Sequence, residues 1–380
     1  MDGAMLVRAP SSPLEVTMTT EIHPGRNNLP RVLLLVLTAL ISFPLPGSCK
    51  TAGEILGEYS RLADKEREAK ILEGAKREGK LIYYGTTAID HIQRVFTEFK
   101  KRYPFMEVAD YRSGSVNVYN KIATEARAKR FDVDVLDLEP GEVYGITKAG
   151  LVDPYLSPSR KGIAADFMDK QGYWTTFYHL TVALGYNTEK VKKDEAPKSY
   201  DDLLDPKWKG RMSLDQTDFA LFGAMLEYWG REKGANYFRK LAENDPSMRR
   251  GKTLQAQILG AGEVHVAPWL YGYRPLAMKR QGAPVEINLL RPVLSVPTYL
   301  LLARNSTRPH SAALFLDWAL SRDGIMKIFA EELGRGVPRA GYKDIFPELN
   351  APQYLVVEPN KIGPRYEEYE KLYCNIFKHC

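Results

Sequence analysis

Gly260-Ala261-Gly262 opens like the glycine fingerprint of a dinucleotide site, but His265 stands where the third glycine is needed. The run also follows a helical stretch and precedes a strand-like one. That order is the reverse of the one that aims a helix N-terminus at a pyrophosphate. Gly251-Lys252-Thr253 ends like a phosphate-binding loop, yet Pro246 occupies the position of the leading glycine. The sequence has no Gly-x-Ser-x-Gly elbow, no His-x-x-x-His and no His-Glu-x-x-His. Past residue 50, His91, His179, His265, His310 and His379 are scattered. Cys49, Cys374 and Cys380 lack zinc-ligand spacing. No catalytic centre is nominated, which favours a binding protein over an enzyme. One stretch does suggest binding chemistry. Met248-Arg249-Arg250-Gly251-Lys252 gathers three cations just before a helical segment, where free N–H groups and the helix dipole already favour an anion. An arginine there adds a planar fork for carboxylate or phosphate.

The elements that must position such residues follow from periodicity. Lys80–Tyr84, Glu107–Tyr111 and Phe131–Leu138 read as strands, and each is followed by a helical pattern. Ile89, Ile92, Phe96, Phe99 and Tyr103 share one helix face, which Pro104 ends. This alternation is the signature of a doubly wound parallel sheet. Ligands of such sheets sit beyond the carboxyl ends of the strands, so the loops 85–87, 112–115 and 139–141 are the ones to watch. The second half repeats the style. Strands are expected at Thr181–Tyr186, Met212–Leu214, Val264–Ala267 and Pro297–Ala303. Helices are expected at Phe219–Gly230, Thr253–Leu259, Ser311–Leu320 and Gly324–Leu333.

The chain has 380 residues, a prior for two domains. Its composition is ordinary for a globular protein, at 44% hydrophobic and 26% charged. Lys+Arg 53 against Asp+Glu 47 leaves a formal charge of +6 without any polybasic run, which argues against nucleic acid as a partner. Val32–Phe43 is apolar and uncharged, too short to span a bilayer. Arg26 and Arg31 precede it, and Pro44, Pro46, Gly47 and Ser48 follow, the layout of a secretory signal. Residues 1–49 are therefore expected to be a signal segment whose true start is Met18. Leu45-Pro46-Gly47-Ser48-Cys49 only approximates a lipoprotein cleavage site, so simple secretion is favoured over a lipid anchor at Cys49.

Residues about 50–345 resemble the solute-binding proteins of bacterial ABC importers, in the iron(III)-type, ferric-binding-like branch. The resemblance is carried by Ala75-Lys76-Arg77-Glu78-Gly79-Lys80-Leu81, Asp132-Val133-Asp134-Val135, Pro206-Lys207-Trp208-Lys209-Gly210-Arg211, Leu254-Gln255-Ala256 and Ala261-Gly262-Glu263-Val264. The last matching stretch runs from Ala312 to Gly324. It implies an α/β, two-lobed periplasmic-binding-protein fold with two doubly wound sheets and crossing hinge strands. It also implies a monomer that closes on a small-molecule or ion ligand and delivers it to an ABC permease in the inner membrane, without turnover. The lobes are expected at 50–175 plus 298–345, and at 176–297 plus the C-terminal tail 346–380. The chain crosses between them near Thr175–Thr181 and Val285–Pro297. A disulfide between Cys374 and Cys380 is compatible with export.

Iron-holding members of that branch use a His after the first strand, a Glu after the third and two adjacent tyrosines. Here these positions read Thr87, Glu139 and Gly272-Tyr273, with Tyr271 alongside. If iron is the ligand, Glu139, Tyr271 and Tyr273 must hold it. The favoured ligand is instead an anionic organic or phosphorylated solute, and no cofactor is expected. The same resemblance aligns Arg250 with a position that helps hold an anion in ferric relatives. The candidate site is Thr86, Thr87, Ser113, Ser115, Glu139, Thr217, Arg250, Tyr271 and Tyr273. Arg249, Arg274 and Arg291 read as exposed surface residues. Tyr173, Trp174, Tyr178 and Trp269 add aromatic surface near the cleft, Tyr173 and Trp174 reading equally well as packing. A secreted enzyme on a similar scaffold is the remaining alternative.

Overall fold

The computed structural model describes residues 50–379; the expected signal segment 1–49, with Cys49, and Cys380 lie outside the described residues. Eleven strands follow in chain order: β1 (Lys80–Gly85), β2 (Glu107–Arg112), β3 (Val135–Leu138), β4 (Val152–Asp153), β5 (Thr175–Asn187), β6 (Ser213–Asp215), β7 (Ser247–Arg249), β8 (Val266–Tyr271), β9 (Val285–Asn288), β10 (Val293–Ala303) and β11 (Tyr354–Val356). The expected strand–helix alternation is present: Ile89–Arg102, Ser115–Arg127 and Pro140–Lys148 are the helices after β1, β2 and β3. β2, β1 and β3 pair in parallel.

The expected two sheets are joined. One nine-stranded path runs β2-β1-β3-β10-β5-β8, with β4 and β11 added on β10 and β9 on β5. β5 is thirteen residues long and buried throughout, where the periodicity predicted only its second half. Its first half pairs antiparallel with β10, and its second half with β8 and β9. An uninterrupted buried strand has no alternation to read. β6 and β7 form a separate parallel pair, which a bridge from Met212 to Val266 sets beside β8.

β3 shows how the core is made. Asp134, just before it, and Asp137, within it, are both fully buried. Buried carboxylates require partners. Asp134 accepts from the Ile82 amide at 2.7 Å, Ser306 Oγ at 2.6 Å and Arg308 Nε at 2.8 Å. Around the strands, Phe96, Phe99, Phe315 and Phe329 are buried on one side, and Phe222 and Phe238 belong to the same core. The helix Tyr366–Phe377 packs on the helix Phe219–Trp229. Tyr369 and Tyr373 of that C-terminal helix are completely buried. Cys374 is disulfide-bonded; the expected partner, Cys380, is outside the described residues.

Candidate functional site

The loop after β1 is fixed by Asp137. Its carboxylate accepts from the Thr86 amide at 2.5 Å and Thr86 Oγ1 at 2.7 Å, from Thr87 Oγ1 at 2.6 Å, and from the Tyr83 hydroxyl. Thr87 Oγ1 also lies 3.2 Å from the Tyr178 hydroxyl. The carboxyl end of β3 thus fixes the loop whose Thr86 lines a cleft of about 530 Å3, the size of a small-molecule site.

One wall of the cleft is acidic. Glu139 caps the helix Pro140–Lys148 and accepts from the Tyr271 hydroxyl at 3.3 Å. Burial first, then the neighbouring Glu142 and Asp137, push its carboxyl up to about 7, against the pull of Tyr271 and Lys252. Burial also raises Glu142, which accepts from Ser115 Oγ and from the Tyr366 hydroxyl. Tyr271 is pushed well above the ordinary phenol range by burial and by Glu139, Asp218 and Asp215.

The loop at 250–252 is more heavily used by the protein than its sequence suggests. Gly251, at φ 100°, takes a backbone conformation that suits glycine, and its amide donates to Asp215 at 2.9 Å. Asp215 also accepts from Thr217, from the amide at 3.0 Å and from Oγ1 at 2.9 Å. Lys252 Nζ lies 2.6 Å from Asp218, both almost wholly buried. Burial nevertheless carries Asp218 up to about 7, with Lys252 opposing. Arg250 remains exposed at the rim, among the lining residues.

A second group of lining residues is cationic. Arg335, 4% exposed, places its guanidinium carbon 3.3 Å from the centre of the Tyr273 ring and 5.2 Å from that of Tyr178. Its Nη2 lies 2.9 Å from His91 Nδ1. Arg274 lies over the other reach of Tyr273, at 5.2 Å. Both arginines line the cleft, and each has a buried Nε without a hydrogen-bond partner.

Of the nine sequence-predicted residues, Thr86, Ser115, Glu139, Thr217, Arg250, Tyr271 and Tyr273 line this one cleft. Thr87 sits behind it, buried against Asp137, and Ser113 accepts from Asn117 at 3.0 Å outside the lining. Gly272 interrupts the tyrosine pair for a packing reason. A Cβ there would lie 2.4 Å from Leu349 Cδ2 and 3.2 Å from Ala183 Cβ. Arg274, read from sequence as a surface residue, is half-buried in the cleft. Trp174 packs on Tyr299 at 4.6 Å between ring centres, away from the lining. Sequence reasoning missed Arg335, Lys252 with Asp218, and Tyr366. Lys252 was within reach as part of the cationic run. Tyr366, Tyr369 and Tyr373 carry helical spacing that would have marked the C-terminal helix. Nothing local marks Arg335.

Two halves of an α/β chain that share β5 and feed loops into one polar cleft define a two-lobed ligand-binding protein. Residues 144–354 match the model of the bacterial extracellular solute-binding protein family, more than half of the chain, and the chain belongs to that family. An uncharacterized protein of Haemophilus influenzae is 25% identical over 269 residues, 66% of this chain and 75% of its own. The Fe(3+)-binding periplasmic protein of Serratia marcescens is 26% identical over 165 residues, 43% of this chain and 48% of its own. Among solved structures, iron-bound HitA from Pseudomonas aeruginosa superposes with a TM-score of 0.69 at 20% identity, covering 78% of this chain and 99% of that one. AfuA from Actinobacillus pleuropneumoniae, solved with fructose-6-phosphate, gives 0.62 at 21% identity, covering 79% and 96%. At these identities the likeness is one of fold: the expected two-lobed periplasmic-binding-protein architecture. Among the described residues no helix is long and apolar enough to cross a membrane.

Proposed function

We propose that this protein is the exported, solute-capturing component of an ABC importer, and that its solute is a small anionic organic or phosphorylated molecule. The carrying observation is Arg335, a buried cation lining the cleft whose one side-chain hydrogen bond within the described residues goes to a histidine. A charge removed from water without a counter-charge is costly, and a bound anion supplies one. Arg274 and Arg250 line the same space. Capture follows by closure of the two lobes, 50–175 plus 298–345 against 176–297 plus 346–380, about the crossing strands. The solute then passes to a membrane permease unchanged.

The fold relatives whose names mention iron keep a second reading in view, and the Glu139–Tyr271 contact supports it. Ferric iron as cargo would need Tyr271 or Tyr273 as tyrosinate. Burial first, and then the neighbouring carboxylates, hold Tyr271 as the neutral phenol in the ligand-free protein, so iron would have to displace its proton. Native mass spectrometry and thermal melting with organic phosphates, carboxylates and ferric citrate separate the readings. Stabilisation by an organic anion, with a colourless protein in ferric citrate, is the expected outcome. A visible tyrosinate band that Tyr273→Phe removes would decide for iron. Conversion of the stabilising compound to product would identify an enzyme.

A further inference from the structure

Arg335 lies just beyond the helix Ile325–Glu331, where its side chain is held between the rings of Tyr273 and Tyr178. The histidine it touches brings no charge. Burial first, then Arg335, hold His91 down to about 4, so near neutral pH its Nδ1 offers a lone pair to the guanidinium. Asp90 approaches His91 Nε2 at 3.6 Å and is itself mostly exposed. Arg274 is in the same position. It lies over the same Tyr273 ring and, like Arg335, depresses His91, which puts the two guanidiniums in one neighbourhood. Each keeps a buried Nε with no partner.

Two forks of N–H donors lie within reach of one tyrosine ring, and among the described residues neither is paired with a carboxylate, which leaves both for an oxyanion to satisfy. A carboxylate carries one charge and two oxygens, enough for one fork. A phosphoryl group carries close to two charges and three free oxygens, enough for both. The rest of the cleft differs in character. Glu139, its carboxyl raised to about 7 and so able to carry a proton near neutral pH, and the Tyr271 hydroxyl offer hydrogen-bond donors and acceptors.

We propose that Arg335 and Arg274, over the face of Tyr273, form the seat of a phosphoryl dianion, with the uncharged, hydroxyl-bearing body of the solute lying toward Glu139 and Tyr271. This assignment rests on the anionic-solute reading and adds which end of the solute goes where. The phosphoryl group comes either from a phosphate monoester or from free phosphate.

The test is calorimetric titration and phosphorus NMR on the chain from residue 50 onward. The probes are glucose 6-phosphate, glycerol 3-phosphate, inorganic phosphate and citrate. At least one monoester binds, and its phosphorus resonance shifts on binding. Arg335→Met weakens that binding at least a hundredfold and Arg274→Met at least tenfold, while Arg335→Lys restores part of the loss. Without ligand, Arg335→Met melts no lower than the parent, because an uncompensated buried charge has been removed. Inorganic phosphate bound as tightly as the monoesters, with the same arginine dependence, supports the seat and makes free phosphate its source. Citrate bound through the two arginines in preference to every phosphate overturns the phosphoryl assignment. Unchanged monoester affinity in both methionine variants, read by NMR on folded protein, overturns the seat and leaves the anionic-solute reading standing. No binding of any of the four probes overturns both. If Arg335→Met does not fold, Arg335→Lys and Arg274→Met carry the same comparison, and undiminished affinity in both is the overturning result.

Discussion

Asp218 sits against Lys252 in a nearly dry pocket, and two opposed effects act on its proton. Burial favours the neutral acid, and the lysine favours the carboxylate; burial wins, lifting the group from 3.8 to about 7. Holding the proton that much more tightly in the folded state corresponds to about 4 kcal/mol. The folded value is raised, so this stabilisation is full below about pH 4 and lost as the pH climbs through about 7. Between pH 5.5 and 8 it amounts to about 2 kcal/mol. For a folded unit of this size the unfolding entropy is roughly 0.7 kcal/mol/K, so about 3 °C in Tm is at stake. The wild-type melting curve alone will not reveal it. His91 and His179 are both held down to about 4, by burial first. Their contribution is present above the ordinary histidine value and is lost as the pH falls below it, at roughly 1 kcal/mol each by pH 5.5. Glu139, also raised to about 7, adds about 2 kcal/mol in the same sense as Asp218, so the wild-type curve sums terms of both signs and isolates none. The assay is therefore differential scanning calorimetry of the ligand-free protein against Asp218→Asn at both pH values. The wild type should lead the variant by about 3 °C more at pH 5.5 than at pH 8. A lead that is constant, or larger at pH 8, would refute the reasoning, because the ion pair with Lys252 would then dominate over burial.

Two further expectations concern the frame of the cleft. The Tyr373 ring is buried against Phe219 and Phe222, and its hydroxyl donates to the Asp215 carbonyl at 2.7 Å. Tyr373→Phe should cost about 1 kcal/mol and Tyr373→Ala about 3–5 kcal/mol by chemical denaturation; equal costs would mean the ring packing contributes nothing. Gly272→Ala should lower Tm by about 2–4 °C, since its Cβ meets Leu349 and Ala183. An unchanged Tm would mean that Leu349 moves aside freely.

The legible parts of the fold were those with a period. β1, β2 and their helices alternate or repeat at helical spacing, and their ends carry proline or glycine. β5 and β10 are buried from end to end, so their apolar runs have no exposed face to betray length or direction. The cleft was legible where a loop follows a parallel strand, which is how Thr86, Ser115 and Glu139 were found. Arg335 was not, because its environment is assembled by His91, Tyr178 and Tyr273, which are far apart in the chain. A surface arginine and a buried one have the same local sequence. Arg250 drew attention through its neighbours, yet the amide of Gly251 and the ammonium of Lys252 are already engaged by Asp215 and Asp218.

The position of β10 has a consequence for how the molecule is made. This strand lies between β3 and β5, which have no direct pairing with each other. A nascent chain therefore carries β1, β2 and β3 for more than a hundred residues with one strand edge open, and β5 waits with the matching edge open. Neither can close until Val293–Ala303 has been synthesised. Contacts of such long sequence separation make folding slow and late, and open strand edges are where incomplete chains associate. A ribosome-bound fragment ending before residue 293 has no way to complete its central sheet. A polypeptide that stays unfinished until three-quarters of it exists is one that remains threadable during that time, which fits the export proposed above.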